Sequence, residues 1–351
     1  MSKPRILISI LNWNKAAITL ECVEALRKMA CDEMAVDVLV IDNGSAQADY
    51  AALRDGVDAG WARVLRLENN LGFTGGHNVS LKMAMEQDYD FVWLLNNDAT
   101  VQADTLAKLV NDISADAVCG AVSPVIYAES GVGHLNGWGA THDWRARDNA
   151  WIPSAAASRK LHETHPDKIC LVGTAVMFRV QALCEVGVLD DRLFAYFDDN
   201  DIGTRLSKAG WRSKVVFDAG VMHGSRELAD QPLYFFHLMF RNELIFWHTH
   251  MPQAFRKLLW LKLVNQAMFN VNRLRRRGMG RQADAALLGV WDFMSGRSGA
   301  PDLARSTPGL VKLTCRMLAR VHEKQLAQAG APAAGAPMAG YETGLGTHQG
   351  V

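Results

Sequence analysis

The sequence predicts an α/β fold with a mainly parallel central sheet and a C-terminal α-helical extension. Three observations lead there. Short apolar runs alternate with amphipathic stretches through the N-terminal third, and that alternation requires right-handed βαβ crossovers. Three apolar runs stop abruptly in acidic and amide residues, at Ile41-Asp42-Asn43-Gly44-Ser45, Leu94-Leu95-Asn96-Asn97-Asp98 and Phe194 to Asp201. The last third carries helical periodicity with no strand-like run. In open parallel sheets ligands lie outside the carboxyl ends of the strands, so Asn12, Asn14, Asp42, Asn70 and Asp98 are expected to face one crevice.

Residues 5–11 read as a buried strand and Ala16 to Met29 as an amphipathic helix. Val36 to Ile41 is a second strand closed by a Gly/Ser turn, and Ala62 to Leu67 a third. The glycine-rich Asn69 to Asn78 opens a helix reaching about Gln87. Phe91 to Leu95 is the fourth strand and Ala103 to Ile113 is helical. Residues 123–166 lose periodicity and are rich in Gly, Trp and His, which reads as an insertion over the crevice. Ile169 to Val180 is strand-like; a helix at Asp201 to Ala209 and a strand at Lys214 to Phe217 follow.

Pro232 to His250 is apolar but carries Arg241-Asn242-Glu243 at its centre, which suits a docked helix and not a membrane span. Phe255 to Arg281 is amphipathic and basic, fitting either an anionic membrane surface or a packed protein face. From Ala327 onward Ala, Gly and Pro dominate, and a disordered tail is expected. These boundaries predict three units: 1–230, 231–325 and 326–351.

The chain of 351 residues is 49% hydrophobic, enough for a full core. Its 37 basic and 37 acidic residues balance, which argues against a dedicated nucleic-acid binder. Six scattered cysteines without CxxC spacing fit a reduced, cytoplasmic compartment. The apolar run Ile6 to Leu11 is too short for a signal peptide, and no segment reaches the roughly 20 apolar residues of a membrane span.

Asp98 ends a hydrophobic strand, where its carboxylate could hold a Mg²⁺ or Mn²⁺ bound to a diphosphate; Asn-Asn-Asp is equally good turn chemistry. Asp42 offers the same choice, as a turn residue or as acceptor for a pyrimidine ring N–H, with the turn favoured. Asp198, Asp199 and Asp201 crowd together beside Phe194, Tyr196 and Phe197. Crowding and desolvation raise a carboxylate's pKa and make it a better base, although acidic residues also suit a helix N-terminus. Asp199 is the base candidate. The run Gly72 to Asn78, with Gly75, could cradle phosphate at a helix start or simply allow tight turns. His162/His165 and His248/His250 have no metal-site partners at useful spacing, and both pairs read as incidental.

Together these segments resemble the family 2 glycosyltransferases of GT-A fold, especially their rhamnosyltransferase-like branch. The resemblance rests on Asn12-Trp13-Asn14, Val40 to Ser45, Asn69 to Asn78, Leu94 to Asp98, Gly173 to Phe178, Val186 to Asp190, Phe194 to Asp201, Arg205, Gly210, His223 and Arg241-Asn242. It implies inverting transfer of a sugar from a dTDP- or UDP-linked donor to a glycan or lipid-linked acceptor, as in surface polysaccharide synthesis.

It further implies that Asp42, Asn14, Asn70, Gly75, Asn78 and Asn97 surround the nucleotide, and that Asp98 and His223 hold Mg²⁺ or Mn²⁺. Asp199, beside Asp198, would be the general base and Arg226 a helper. The site departs from the commoner pattern in having Asn96 where a DxD motif begins and Asp198 where Glu is usual. A non-catalytic sugar-nucleotide or glycan-binding relative of the same fold is the alternative, and a nucleotidyltransferase ranks below it for want of a basic Gly-rich loop after the first strand. Contact of 255–281 with the inner face of a membrane, and a homo-oligomer, are further expectations.

Overall fold

The computed structural model describes residues 3–29, 31, 33–128, 137–143, 148–224, 228–251 and 256–328. The first half is a doubly wound sheet. β1 (Arg5–Asn12) lies between β2 (Ala35–Asp42) and β4 (Phe91–Asn96), with β3 (Ala62–Arg66) outside β2, all parallel. Helices α1 (Ala16–Arg27), α2 (Gln47–Gly56) and α3 (Gly72–Glu86) make the crossovers. Beyond β4 the sheet continues through β10 (Ala175–Arg179), β6 (Cys119–Ala128), β11 (Arg212–His223) and β5 (Ala99–Val101), in the order β3-β2-β1-β4-β10-β6-β11-β5. β10 is antiparallel to both neighbours and β5 to β11, leaving four parallel pairings against three antiparallel.

Both faces of the sheet are covered, which explains why its strands are apolar throughout. Along β1, Ile6, Ile8 and Ile10 pack with α1 and α4 (Thr105–Ala115), while Leu7 and Leu11 pack with α3 on the other face. That second face carries α6 (Val180–Val186) and α7 (Asp198–Lys208). Its core continues into α8 (Leu233–His250), α9 (Arg256–Arg276), α10 (Gly280–Met294) and α11 (Gly309–Gln328).

Residues 123–166 differ from the expected irregular insertion. Ser123 to Ala128 complete β6 inside the sheet; β7 (Ala140–Asp143) and β8 (Asp148–Trp151) form a small sheet with β9 (Ile169–Cys170), and α5 (Ala155–Thr164) follows. Pro124 sits within β6 and disguises the strand in the sequence. β11 is twelve residues long, three times the expected strand, and α7 starts at Asp198 instead of Asp201. The 255–281 stretch is not one helix: α9 ends at Arg276, Gly278 turns with φ +78°, and α10 starts at Gly280. The inward residues of α9, Leu263, Val264, Ala267, Met268, Val271 and Leu274, join the core. Packing on protein, one of the two readings of this stretch, is what those residues do. The expected tail falls mostly outside the described residues, as do Phe255 and Arg226.

Candidate active site

The carboxyl ends of the strands collect two polar clusters. In the first, Asn12 at the end of β1 donates through Nδ2 to Asp42 Oδ1 (3.0 Å), Ser45 Oγ (3.2 Å) and Asp49 Oδ2 (3.0 Å), and accepts from Thr19 Oγ1. Asp42 is 0% exposed, and its second oxygen receives the Ser45 amide. Asp42, for which the sequence favours a turn over a pyrimidine contact, organises the turn and has no accessible surface. Asn43 and Asn70 join in the same way, Asn43 Nδ2 donating to Asn70 Oδ1 and Asn70 Oδ1 also receiving the Gly72 amide. Asn14 stays exposed on the rim, at φ +53°, with its Oδ1 receiving the Ala46 amide.

The glycine-rich run is likewise a packing device. A Cβ on Gly72 would lie 2.3 Å from the Phe194 carbonyl, and one on Gly76 would strike Leu11. Gly75 faces its own Leu71 at 2.7 Å. Asn78 is buried with both amide atoms committed: Nδ2 donates to Leu189 O and Asp191 Oδ1, and Oδ1 accepts the Leu189 amide. Asn78 thus stitches α3 to 189–191, while Gly75 is half-buried on the first turn of α3. Asn97 is buried too, donating to Thr19 Oγ1.

The second cluster is arranged differently. Asp98 occupies the turn between β4 and β5, and β5 pairs with the end of β11 so that His223 lies opposite Ala99. His223 Nε2 is 3.0 Å from Asp98 Oδ1 and 3.1 Å from Asn96 Nδ2. A carboxylate oxygen and a neutral imidazole nitrogen both present lone pairs, so at this separation they need a proton or a cation between them. Asp98 Oδ2 and His223 Nδ1 are buried without a hydrogen bond, and Asp98 Oδ1 meets only His223 Nε2. An unmatched carboxylate oxygen beside an imidazole fits a divalent cation. Among the described residues no third His, Cys, Asp or Glu completes the shell, so a diphosphate would have to supply the remaining oxygens.

Asp199 comes from another element, α7, and is related to Asp98 through the neighbouring strand. β10 runs antiparallel to β4 with Ala175 opposite Leu95, and the Asn96 amide donates to Thr174 O. Continuing that register brings Gly173 across from the Asn97-Asp98 turn. The Gly173 amide donates to Asp199 Oδ2 (3.2 Å), while the Asn200 amide and Nδ2 both donate to Oδ1 (2.8 and 2.7 Å). Three N–H groups fix a half-buried carboxylate one strand away from the Asp98–His223 pair.

Asp198 is 1% exposed and helps line a cavity with Phe73, Leu94, Val176 and Phe178. Burial raises its pKa to about 7, with the nearby Asp201 charge adding to the effect. Asp198 opens α7, and it lines this cavity together with Asp199.

The segment leading into Asp198 is strained: Phe194, Tyr196 and Phe197 all have φ between 64° and 68°, a region bulky residues rarely occupy. Asn242 on α8 holds it there. Its Nδ2 donates to the carbonyls of Leu193 (2.8 Å), Ala195 (2.7 Å) and Tyr196 (3.0 Å), and Arg241 reaches Leu193 O and Arg192 O. Both side chains are buried, and burial lowers the Arg241 guanidinium to about 10. Sequence reasoning takes Arg241-Asn242 as the mark of a docked helix but misses that the pair clamps residues 192–196, for which two polar residues inside an apolar helix are the signal. A second tie joins α7 to α8: Asp201 accepts from Arg205 and meets His250 Nε2 at 2.7 Å. Burial disfavours the charged Asp201, but the His250 hydrogen bond and the Arg205 charge outweigh it, and its pKa falls below the usual carboxylate value. His250 is thus structural, and so is His162, whose Nε2 accepts the Val215 amide beside Phe217; burial pushes its pKa down to about 4.

A sheet of this order, with an acid after β4, a histidine ending β11 and a carboxylate opening α7, defines a GT-A glycosyltransferase fold. Residues 4–241 match the family described as "Glycosyltransferase like family 2", and the chain belongs to that family. It is 37% identical over 75 residues to N-acetylglucosaminyl-diphospho-decaprenol L-rhamnosyltransferase of Mycobacterium tuberculosis. That match spans 21% of this chain and 24% of the relative's length. Mannosyltransferase PcManGT of Pyrobaculum calidifontis, solved with GDP-Man and Mn²⁺, is similar at TM-score 0.51 and 16% identity, over 93% of this chain and 86% of that one. S. aureus TarS 1-349, solved with UDP-GlcNAc, is similar at TM-score 0.53 and 14% identity, over 94% and 93%.

Proposed function

We propose that the protein is an inverting glycosyltransferase that moves a sugar from a dTDP- or UDP-linked donor to a hydroxyl of a glycan or lipid-linked acceptor. The observation that carries the proposal is the placing of a hydrogen-bonded, half-buried Asp199 across one strand from an unsatisfied Asp98–His223 pair. Asp98 and His223 would hold Mg²⁺ or Mn²⁺, which when bound neutralises charge on the departing diphosphate. Asn14 lines the rim where the nucleotide enters.

Asp199 takes the proton from the acceptor hydroxyl. The freed oxygen attacks the anomeric carbon, and the bond to the diphosphate breaks on the opposite face. The Gly173 and Asn200 N–H groups keep the base aimed while this happens. The partial match to a rhamnosyltransferase supports dTDP-rhamnose as the first donor to try and a lipid-linked diphosphosugar as the first acceptor. Six free thiols support a reduced, cytoplasmic compartment for the reaction, and no described helix is long and apolar enough to cross a membrane.

The test is nucleotide diphosphate release against a panel of dTDP- and UDP-sugars, with Mg²⁺ or Mn²⁺ and with EDTA. Release from one donor that EDTA abolishes is the expected result. Donor binding without release under every acceptor condition would instead make the chain a non-catalytic relative.

A further inference from the structure

α11 is amphipathic in two opposed senses. Its inner face, with Val311, Cys315, Leu318 and His322, packs on α9, where the Asn272 amide donates to the Cys315 carbonyl and His322 Nε2 meets Asn265 Oδ1 at 3.2 Å. Its outer face is also apolar. Leu310, Leu313, Met317 and Val321 recur at helical spacing and are 74%, 54%, 64% and 48% exposed. A contiguous stripe of four large apolar side chains on a solvent-facing helix marks a contact surface.

Charge says what it contacts. Arg316, Arg320 and Lys324 are exposed alongside the stripe, half-buried Lys312 begins the row, and the helix sequence holds a single acidic residue, Glu323. A second copy of the chain docking stripe to stripe would bring these cations against their own duplicates with almost nothing to neutralise them. A bilayer with anionic headgroups accepts both parts: apolar side chains enter the headgroup–acyl boundary while Arg and Lys remain at the phosphates. The antiparallel pairing of α9 and α11 also places Leu261, 65% exposed, toward the C-terminal end of the stripe.

We propose that α11 is the surface by which this protein lies on an anionic membrane. The proposal is independent of the catalytic reading, because binding is measured without donor or turnover.

The experiment is sedimentation of the full chain with vesicles of phosphatidylcholine, with and without phosphatidylglycerol, at low and physiological salt. Wild-type protein is expected to pellet with the anionic vesicles and at least about tenfold less with neutral ones. Arg316→Gln/Arg320→Gln should weaken anionic binding about thirtyfold, and Leu313→Glu/Met317→Glu should abolish it. Circular dichroism and thermal melting of both variants, whose altered side chains face solvent, confirm the fold. Absence of pelleting with anionic vesicles at low salt, or equal pelleting by either folded variant, would overturn the proposal. So would a concentration-dependent dimer lost in Leu313→Glu/Met317→Glu, since the second copy would then be the occupant.

Discussion

The two strand-end clusters are built from the same residue types and behave oppositely. Around Asn12 and Asp42 nearly every polar atom is matched with another, and the cluster is closed to solvent. Around Asp98 and His223 the atoms converge with Asp98 Oδ2 and His223 Nδ1 left unmatched, and Asp199, one strand away, opens a helix that follows a strained segment held from α8. Buried polar groups are normally hydrogen-bonded, so the closed cluster contributes rigidity and the open one is the candidate ligand site. Residue type alone would have given both the same role.

That contrast breaks most visibly at Asp98. Asp98→Ala should lower kcat/KM by about a hundredfold or more at fixed Mn²⁺, while His223→Ala should weaken Mn²⁺ affinity by roughly tenfold to a hundredfold. Titration of activity against the metal separates the two effects; wild-type metal dependence in both variants would show that the ion is held elsewhere.

Asn242→Ala comes next. It strands three buried carbonyls and releases the strained segment, so stability should fall by about 2–3 kcal/mol. If the clamp positions Asp199, kcat in the folded fraction should fall well below wild type with donor KM unchanged. A change in KM alone would make the clamp's role one of donor binding.

Asp198 gives an effect of opposite sign. The fold holds this acid neutral, with a pKa of about 7 against roughly 3.9 when unfolded. Stability is therefore lost as pH rises from about 4 to 7, because only the unfolded chain ionises it freely. Asp198→Asn should be more stable than wild type at pH 8, by up to about 4 kcal/mol, and little changed at pH 4.5. Thermal melts at both values decide it, and a pH-independent difference would mean that Asp198 is ionised in the fold.

The smallest effect belongs to the closed cluster's rim. Asn14→Ala removes one loop hydrogen bond and should raise donor KM only a few-fold, about 0.5–1.5 kcal/mol. A hundredfold rise would move the nucleotide's main anchor to this side of the crevice.

Much of this was legible in the sequence, for reasons that differ by region. β1 to β4, α1 and α3 obey local rules, so apolar runs and turn residues placed them to within a few positions, while the short α2, with only Leu53 fully buried, gave no such pattern. β6 was missed because Pro124 and the Gly/Trp-rich segment after it hide a strand fixed by pairing with β10 and β11, far away in the chain. The pairing of Asp98 with His223 was reachable only through family resemblance, since it depends on β5 meeting the end of β11. The turn at Asp42 was legible from Asp-Asn-Gly-Ser, but its link to Asn12 and the ties of Asn78 were not, because those partners lie more than 25 residues distant. Asn242 falls between, conspicuous as a polar residue in an apolar helix but silent about which carbonyls it holds.

The most direct test is Asp199→Asn, followed by donor binding and turnover side by side. Calorimetry with the donor and Mn²⁺ should give wild-type affinity, because the substitution leaves Asp98 and His223 in place. Turnover should fall by about a hundredfold to ten-thousandfold. Wild-type turnover in this variant would contradict the account, since the acceptor's proton would then be leaving through some other group.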